Sequence, residues 1–335
     1  MLNGHGDDLH NYAYIQYNFS SNVYYGGCRP ELIRILEKSL DNCVNNYPSP
    51  TAEELSVIAS EHFGMKSNNF LFFNGATEAF YTIAHFFKGQ TATIFGPTFA
   101  EYEGSCQVHD IDINWKFRDE FHQPIDTRVA YVCNPNNPDG QIVSAKDIEA
   151  FLIRNKETTL VVDEAYIEFT NTIQSVIRLC EEYVNLIVVR SLTKVFAIPG
   201  VRLGYVVSNS KMIADLSAKK MPWSVNALAI RAGEYIFEEY EHLSFYIIDL
   251  LQEMKSFLRN LSEIDWLEVY PTNTTYVLIR LKKGTASKLK DYLAREHRVL
   301  IRDATNFTGL KGECIRLSLQ SEEVNGILIN ALNEW

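Results

Sequence analysis

Leu186-Ile-Val-Val-Arg190-Ser-Leu-Thr-Lys194-Val-Phe-Ala-Ile-Pro-Gly200-Val-Arg202-Leu-Gly204-Tyr-Val-Val207 is the stretch on which the fold turns. Two short apolar runs, Leu186–Val189 and Gly204–Val207, flank a polar turn with one lysine and one arginine. Runs this short, rich in β-branched residues and bounded by turn residues, read as strands buried on both faces. The same pattern recurs upstream at Phe70–Phe73, Thr91–Phe95, Val129–Cys133 and Leu160–Asp163. Helical spacing fills the gaps, at Thr77–Phe87 and Lys146–Arg154. Thr51-Ala-Glu-Glu54 reads as a capping box opening a helix to Phe63, with the Thr51 hydroxyl accepting from the Glu54 N–H. The alternation specifies an α/β domain with a mostly parallel sheet. Beyond residue 222 the strand pattern stops, and Ser224–Leu261 reads as long, broken helix. Tyr276–Leu281, Val299–Arg302 and Cys314–Leu319 then read as strands around a helix at Ala286–Glu296, a small α+β unit.

The chain has 335 residues, 46% hydrophobic and 22% charged, enough to bury a large core. Its 42 acidic and 31 basic residues give a net charge of −11, which repels phosphate backbones and argues against nucleic acid as a partner. No run approaches the roughly 18 apolar residues of a membrane span. The N-terminus lacks the basic start and apolar run of a signal peptide. Six cysteines without a CxxC pair point to buried thiols in a reduced cytoplasmic protein, and no metal site is expected.

Ligands of parallel α/β sheets bind beyond the carboxyl ends of the strands. Chemistry-bearing residues follow four of them. Asn74-Gly-Ala-Thr-Glu-Ala79 is a glycine turn entering a helix, whose N–H groups at Ala76 and Thr77 suit a phosphate. Asn134-Pro-Asn-Asn-Pro-Asp-Gly140 is a constrained loop rich in amides. Asp163-Glu-Ala-Tyr166 sets a carboxylate at a strand end and a phenol three residues on. Lys194, before Val195-Phe196-Ala197, sits where desolvation lowers an amine's pKa and makes it nucleophilic. Singly, each has a plain explanation: an ordinary turn, a solvated acid, a lysine reaching for solvent.

In order, NGATEA, NPNNPDG, DEAY and SLTKxxxxxGxRLGY resemble the class I/II aminotransferases among the fold-type-I pyridoxal-phosphate enzymes, from Asn22 to about Ser318. Within them the likeness is to histidinol-phosphate aminotransferases and to the threonine-phosphate decarboxylases of cobalamin synthesis. The resemblance implies an aspartate-aminotransferase-like fold: a large domain, residues 41–240, around a mostly parallel seven-stranded sheet, and a small C-terminal domain, residues 241–335. Residues 1–40 would form an arm and part of the small domain.

It implies that pyridoxal 5'-phosphate is joined to Lys194 as a Schiff base, with Lys194 then moving protons between the α-carbon and the cofactor. Asp163 would pair with the pyridine nitrogen. Tyr166 and Asn137 would hydrogen-bond the ring's 3' oxygen. Gly75, Ala76, Thr77, Ser191, Thr193 and Arg202 would form the phosphate cup. Phe99, in Gly96-Pro-Thr-Phe-Ala-Glu-Tyr102, would stack on the ring. Tyr47, in Asn46-Tyr-Pro48, would reach the phosphate of a neighbouring subunit, making the enzyme a homodimer with shared sites. Arg316 would clamp the substrate carboxylate. Arg302 and Asn22 are assistants in this reading, with a surface charge or a cap as their alternatives.

The implied reaction is transamination between a small amino acid, which can itself be phosphorylated, and a keto acid. Decarboxylation of L-threonine O-phosphate is the alternative, favoured by Gly4-His5-Gly6, Asn18-Phe-Ser-Ser-Asn22 and the string from Ser191 to Gly200. Against it stand Asp7 and Asp8, where that subfamily continues with glycine, since carboxylates repel a phosphorylated substrate. Asp139, where relatives carry threonine, adds a further negative charge. A transcription-regulator relative is a third reading, disfavoured because a chain starting this close to the catalytic fold leaves no room for a DNA-binding module.

Overall fold

The computed structural model describes residues 7–243 and 247–335; Gly4, His5 and Gly6 lie outside them. A short strand, β1 (Tyr17–Asn18), precedes the main sheet, which comprises β2 (Phe70–Phe73), β3 (Thr91–Gly96), β4 (Asp112–Phe117), β5 (Val129–Cys133), β6 (Thr159–Asp163), β7 (Leu186–Ser191) and β8 (Gly204–Ser208). Their order is β2-β8-β7-β6-β5-β3-β4. Pairings are parallel except around β8, which runs antiparallel to both β7 and β2. Strands β5 to β8 are buried at every position, as expected of a sheet covered by helices on both faces. Strand β4 was not anticipated from the sequence. It is one of the two edge strands, and its polar residues Asp112, Asn114 and Lys116 break the apolar signature of the buried strands.

Because β8 reverses direction, its first residue lies beside the last residues of its neighbours. Gly204 pairs with Phe73 on one side and with Ser191 on the other. Cys133, Asp163 and Val189 are likewise in register across β5, β6 and β7. The turns after β2, β5, β6 and β7 therefore emerge along one sheet edge.

The helix at Glu53–Phe63 forms, but without the expected cap. Ala52, not Thr51, is the residue before the first turn, in left-handed conformation (φ 54°), and no side chain caps it. Ala52 is buried and the preceding Pro50 carbonyl accepts from Trp223 N–H, so tertiary packing sets this entry rather than local hydrogen bonding. The helical region after residue 222 divides into Ala227–Glu238, Tyr240–Leu243 and Ile247–Ser262.

A second sheet contains β9 (Leu267–Val269), β10 (Tyr276–Leu281), β12 (Arg302–Asp303) and β13 (Cys314–Ser318), in the order β12-β13-β10-β9 and wholly antiparallel. The single strand expected at Val299–Arg302 is two pieces. Its first half, β11 (Val299–Leu300), pairs in parallel with β1, and only its second half joins β13. One apolar core surrounds the large sheet, and a second joins Phe19 to residues from Leu250 onward. No helix among the described residues is long and apolar enough to cross a membrane.

Gly204 carries a testable constraint. A Cβ there would lie 2.7 Å from the Ala76 backbone nitrogen and 2.9 Å from the Arg190 carbonyl oxygen, neither of which can move aside. Gly204→Ala should destabilise the apoprotein by about 1–3 kcal/mol in denaturant unfolding. Gly200→Ala, with open space around its added carbon, should change stability by less than about 0.5 kcal/mol.

Candidate active site

The turn after β2 begins with Gly75 at φ 82°, a left-handed conformation that favours glycine, and leads into the helix Ala76–Phe86. The first N–H groups of that helix have no intrahelical acceptor. The Arg202 guanidinium crosses directly over Gly75: a Cβ on Gly75 would lie 2.5 Å from Arg202 Nη2. Arg202 adopts φ 66°, uncommon for a side-chain-bearing residue, and donates to the Pro199 carbonyl at 2.9 Å. The Ser191 and Thr193 hydroxyls are buried 2.9 Å apart. Two hydroxyls, a guanidinium and a helix N-terminus thus converge on one small cup, a donor set suited to a phosphate.

Beside the cup is a cavity lined by Ser20, Asn22, Phe99, Asn137, Tyr166, Lys194, Arg302 and Arg316, among others. Asp163 is buried at the end of β6, and its Oδ1 accepts from the Ala165 N–H at 2.9 Å. Desolvation raises its pKa to about 6, opposed by hydrogen bonds from Tyr102 and Ala165 and by the Lys194 charge. The next residue, Glu164, faces away: it accepts from Ser175 Oγ and Val176 N–H and pairs with buried Arg190, which also contacts Glu168. This ionic cluster secures the Asp163–Tyr166 turn to β7 from behind.

Lys194 sits in the short helix Leu192–Val195, and its carbonyl accepts from the Tyr24 N–H. Desolvation, then the positive charges of Arg316 and Arg202, bring its amine down to about 8. Burial therefore shifts the Asp163 and Lys194 pKa values in opposite senses, toward each other.

Arg316 projects from β13. Its Nη1 donates to Asn137 Oδ1 and its Nη2 to the Ser20 carbonyl, each at 2.5 Å. These are neutral oxygens, and its buried Nε has no hydrogen-bond partner among the described residues. A buried guanidinium without a compensating carboxylate is costly unless an anion joins it. Arg302 is in register with Arg316 across the β12–β13 pair. Its Nη2 donates to Asn306 Oδ1 at 2.7 Å, and it lies over the Phe307 ring. Burial and the nearby Arg316 charge lower it to about 10. Neither polar atom of the buried Asn22 amide has a well-formed hydrogen bond, although it lies beside Tyr166.

Tyr47 is 91% exposed and lies outside the cavity, against Trp223. Asp139 accepts from Asn136 Nδ2 and from the Gln141 N–H, and the Arg118 charge faces it, so it is absorbed into its loop. Asp7 lines the cavity, while Asp8 is tied to Lys290. Sequence reading did not single out Ser20, Glu103, Trp115, Asn306 or Thr308 as cavity residues, nor Tyr102 as the partner of Asp163. For Tyr102 a signal was available: it stands three residues after Phe99 at a helix start, one turn along the same face. No trio of His, Cys, Asp or Glu side chains among the described residues could hold a metal.

The family model for aminotransferase class I and II matches residues 14–332. The histidinol-phosphate aminotransferase of Thermoanaerobacter pseudethanolicus is 30% identical, covering 98% of this chain and 95% of its own length. The threonine-phosphate decarboxylase of Salmonella typhimurium is 31% identical, covering 94% and 90%. The crystal structure of L-threonine-O-3-phosphate decarboxylase from Porphyromonas gingivalis superposes with a TM-score of 0.91 at 35% identity, over 95% of this chain and 99% of that one. A match over nearly the whole chain, on a seven-stranded sheet of this order, places this protein in the aminotransferase class I and II family, for which pyridoxal phosphate dependence is typical.

Proposed function

We propose that this chain binds pyridoxal 5'-phosphate covalently at Lys194 and acts at the α-carbon of an amino acid bearing a second anionic group. The observation that carries this reading is the pairing, at one sheet edge, of a buried acid raised to about 6 with an amine lowered to about 8 beside a phosphate cup. The donor set fits the cofactor part by part. Ser191, Thr193, Arg202 and the N–H groups of Ala76 and Thr77 would hold the phosphate. Tyr166 and Asn137 would donate to the ring oxygen, Phe99 would cover the ring face, and Asp163 would keep a proton on the ring nitrogen. When bound, the cofactor supplies an aldehyde that joins to amines and a protonated ring that draws electron density from the substrate's α-carbon.

The remaining work falls to the chain. Arg316 binds and orients the substrate carboxylate, with Asn137 fixing the guanidinium. Arg302, next to it across the register pair, takes the second anion, and this favours a phosphorylated or dicarboxylic amino acid. Lys194, its amine unprotonated above about pH 8, removes a proton at the α-carbon and returns one. Transamination is the first reading, in keeping with the family. Decarboxylation of a phosphorylated amino acid is the second, favoured by the 35% identity to the Porphyromonas gingivalis enzyme. Incubating the holoprotein with a keto acid plus histidinol phosphate, or with L-threonine O-3-phosphate alone, separates them: amino transfer supports the first, carbon dioxide release the second.

Two copies would complete the site. Along the helix Pro30–Asn45 only Leu32 is buried, and Leu40, Val44, Tyr47, Met221 and Trp223 are exposed, an apolar face suited to a second copy of the chain. The six free thiols fit a reduced, cytoplasmic setting.

Borohydride treatment of apoprotein mixed with pyridoxal phosphate should add the mass of the reduced cofactor to the peptide containing Lys194, and nothing to Lys194→Ala. Uptake should accelerate as pH rises through about 8, where the Lys194 amine loses its proton; labelling of Lys194→Ala at the wild-type level would refute the assignment. Arg316→Gln should lower kcat/KM by roughly a hundredfold or more, mainly through KM, because it removes one partner of a desolvated charge pair. Sedimentation at micromolar concentration should show a dimer, and Tyr47→Ala should weaken cofactor affinity although Tyr47 lies outside its own chain's cavity.

A further inference from the structure

Tyr102 belongs to the helix Ala100–Val108 and has no exposed surface. Its hydroxyl donates to Asp163 Oδ2 at 2.5 Å. Three aromatic neighbours fix its ring: Phe80 edge-on at 4.9 Å, Phe99 edge-on at 5.7 Å and Tyr131 stacked at 5.5 Å. The hydroxyl is therefore aimed by packing, not by a flexible side chain.

Asp163 Oδ1 is held from the other side by the Ala165 N–H. A carboxylate has about four acceptor positions on its two oxygens. The two protein donors engage one oxygen each and leave further positions open on both. We infer that Tyr102 is a positioning residue, whose hydroxyl fixes the plane of the Asp163 carboxylate so that its open acceptor positions meet the ring nitrogen of the cofactor. This rests on the cofactor reading above and adds to it a residue that touches no reacting atom.

The groups facing Asp163 are Tyr102 from its helix, Cys133 from β5, Tyr166 from its own turn and Lys194 from beyond β7. Among the influences opposing desolvation, the Tyr102 hydrogen bond is the largest. The charged carboxylate exists above its pKa, and loss of the Tyr102 hydroxyl raises that pKa. The ring nitrogen then loses its ionised partner at a higher pH as the solution is acidified.

Tyr131 provides the control, since it stacks on the same ring while its hydroxyl faces Cys106 rather than the carboxylate. Pyridoxal phosphate is titrated into wild-type, Tyr102→Phe and Tyr131→Phe apoproteins between about pH 5.5 and 8.5, with uptake followed by visible absorbance. Tyr102→Phe should bind roughly tenfold more weakly near pH 6, with its acid limb displaced upward by about one pH unit. Tyr131→Phe should superimpose on wild type. If Tyr102→Phe joins the cofactor at Lys194 with an unshifted acid limb, or if Tyr131→Phe shifts it equally, the inference is overturned while the cofactor reading stands. Failure of the wild-type protein itself to join the cofactor at Lys194 would remove both. Should Tyr102→Phe not fold, 3-fluorotyrosine at position 102, a more acidic donor, must move the acid limb downward; an unmoved limb overturns the inference.

Discussion

Desolvation at the carboxyl edge of the large sheet is the constraint on which the site depends. It acts in opposite senses on the two groups that matter, raising the acid and lowering the amine. Neither effect is a property of the residue alone. Asp163 loses its water because β5, β6 and β7 are buried on both faces and end in register, so a residue at their common edge is covered by the turns of its neighbours. Lys194 is lowered as well by two guanidiniums, Arg316 from the smaller sheet and Arg202 from its own turn before β8. The sheet supplies the dry edge, and the smaller sheet supplies part of the charge.

That dependence explains why the chain's two ends meet at the site. β1 pairs with β11, which holds the segment around Ser20 against the smaller sheet, and the Ser20 carbonyl then accepts from Arg316. Tyr276, at the start of β10, donates to the Asn136 carbonyl and ties the smaller sheet to the amide-rich loop after β5. Asn137, one residue further on, holds the other arm of Arg316. The guanidinium is thus suspended between the N-terminal segment and the loop after β5, although it belongs to neither.

How much of this the sequence discloses depends on the range of the interaction. The buried strands were legible because β-branched runs such as Leu186–Val189 are local signals, and the residues just beyond them follow from strand direction. Strand β4 was hidden because an edge strand with Asp112, Asn114 and Lys116 has no continuous apolar run. The Thr51 cap failed because a buried Ala52 and the hydrogen bond from Trp223 to Pro50 overrode a local preference. Val299–Arg302 reads as one strand because nothing local marks where a chain passes from one sheet to another. Tyr102 was visible as an aromatic but not as a donor, since its acceptor lies 61 residues away.

Under the proposed function, the choice of bond broken at the α-carbon would follow from the same suspension. On that reading, the angle at which Arg316 would hold a substrate carboxylate would select the reaction. With Nη1 on Asn137 and Nη2 on Ser20, the guanidinium plane is set by the loop after β5 and by the N-terminal segment. Asn137 would thereby refer a bound carboxylate to the cofactor, while Ser20 would refer it to a segment whose neighbour Asp7 lines the same cavity. Here Asp7 adopts φ 65°, and its N–H donates to Ser20 Oγ. On the proposed reading, the selection between proton loss and carbon dioxide loss would rest on the residues that support Arg316 more than on the arginine itself.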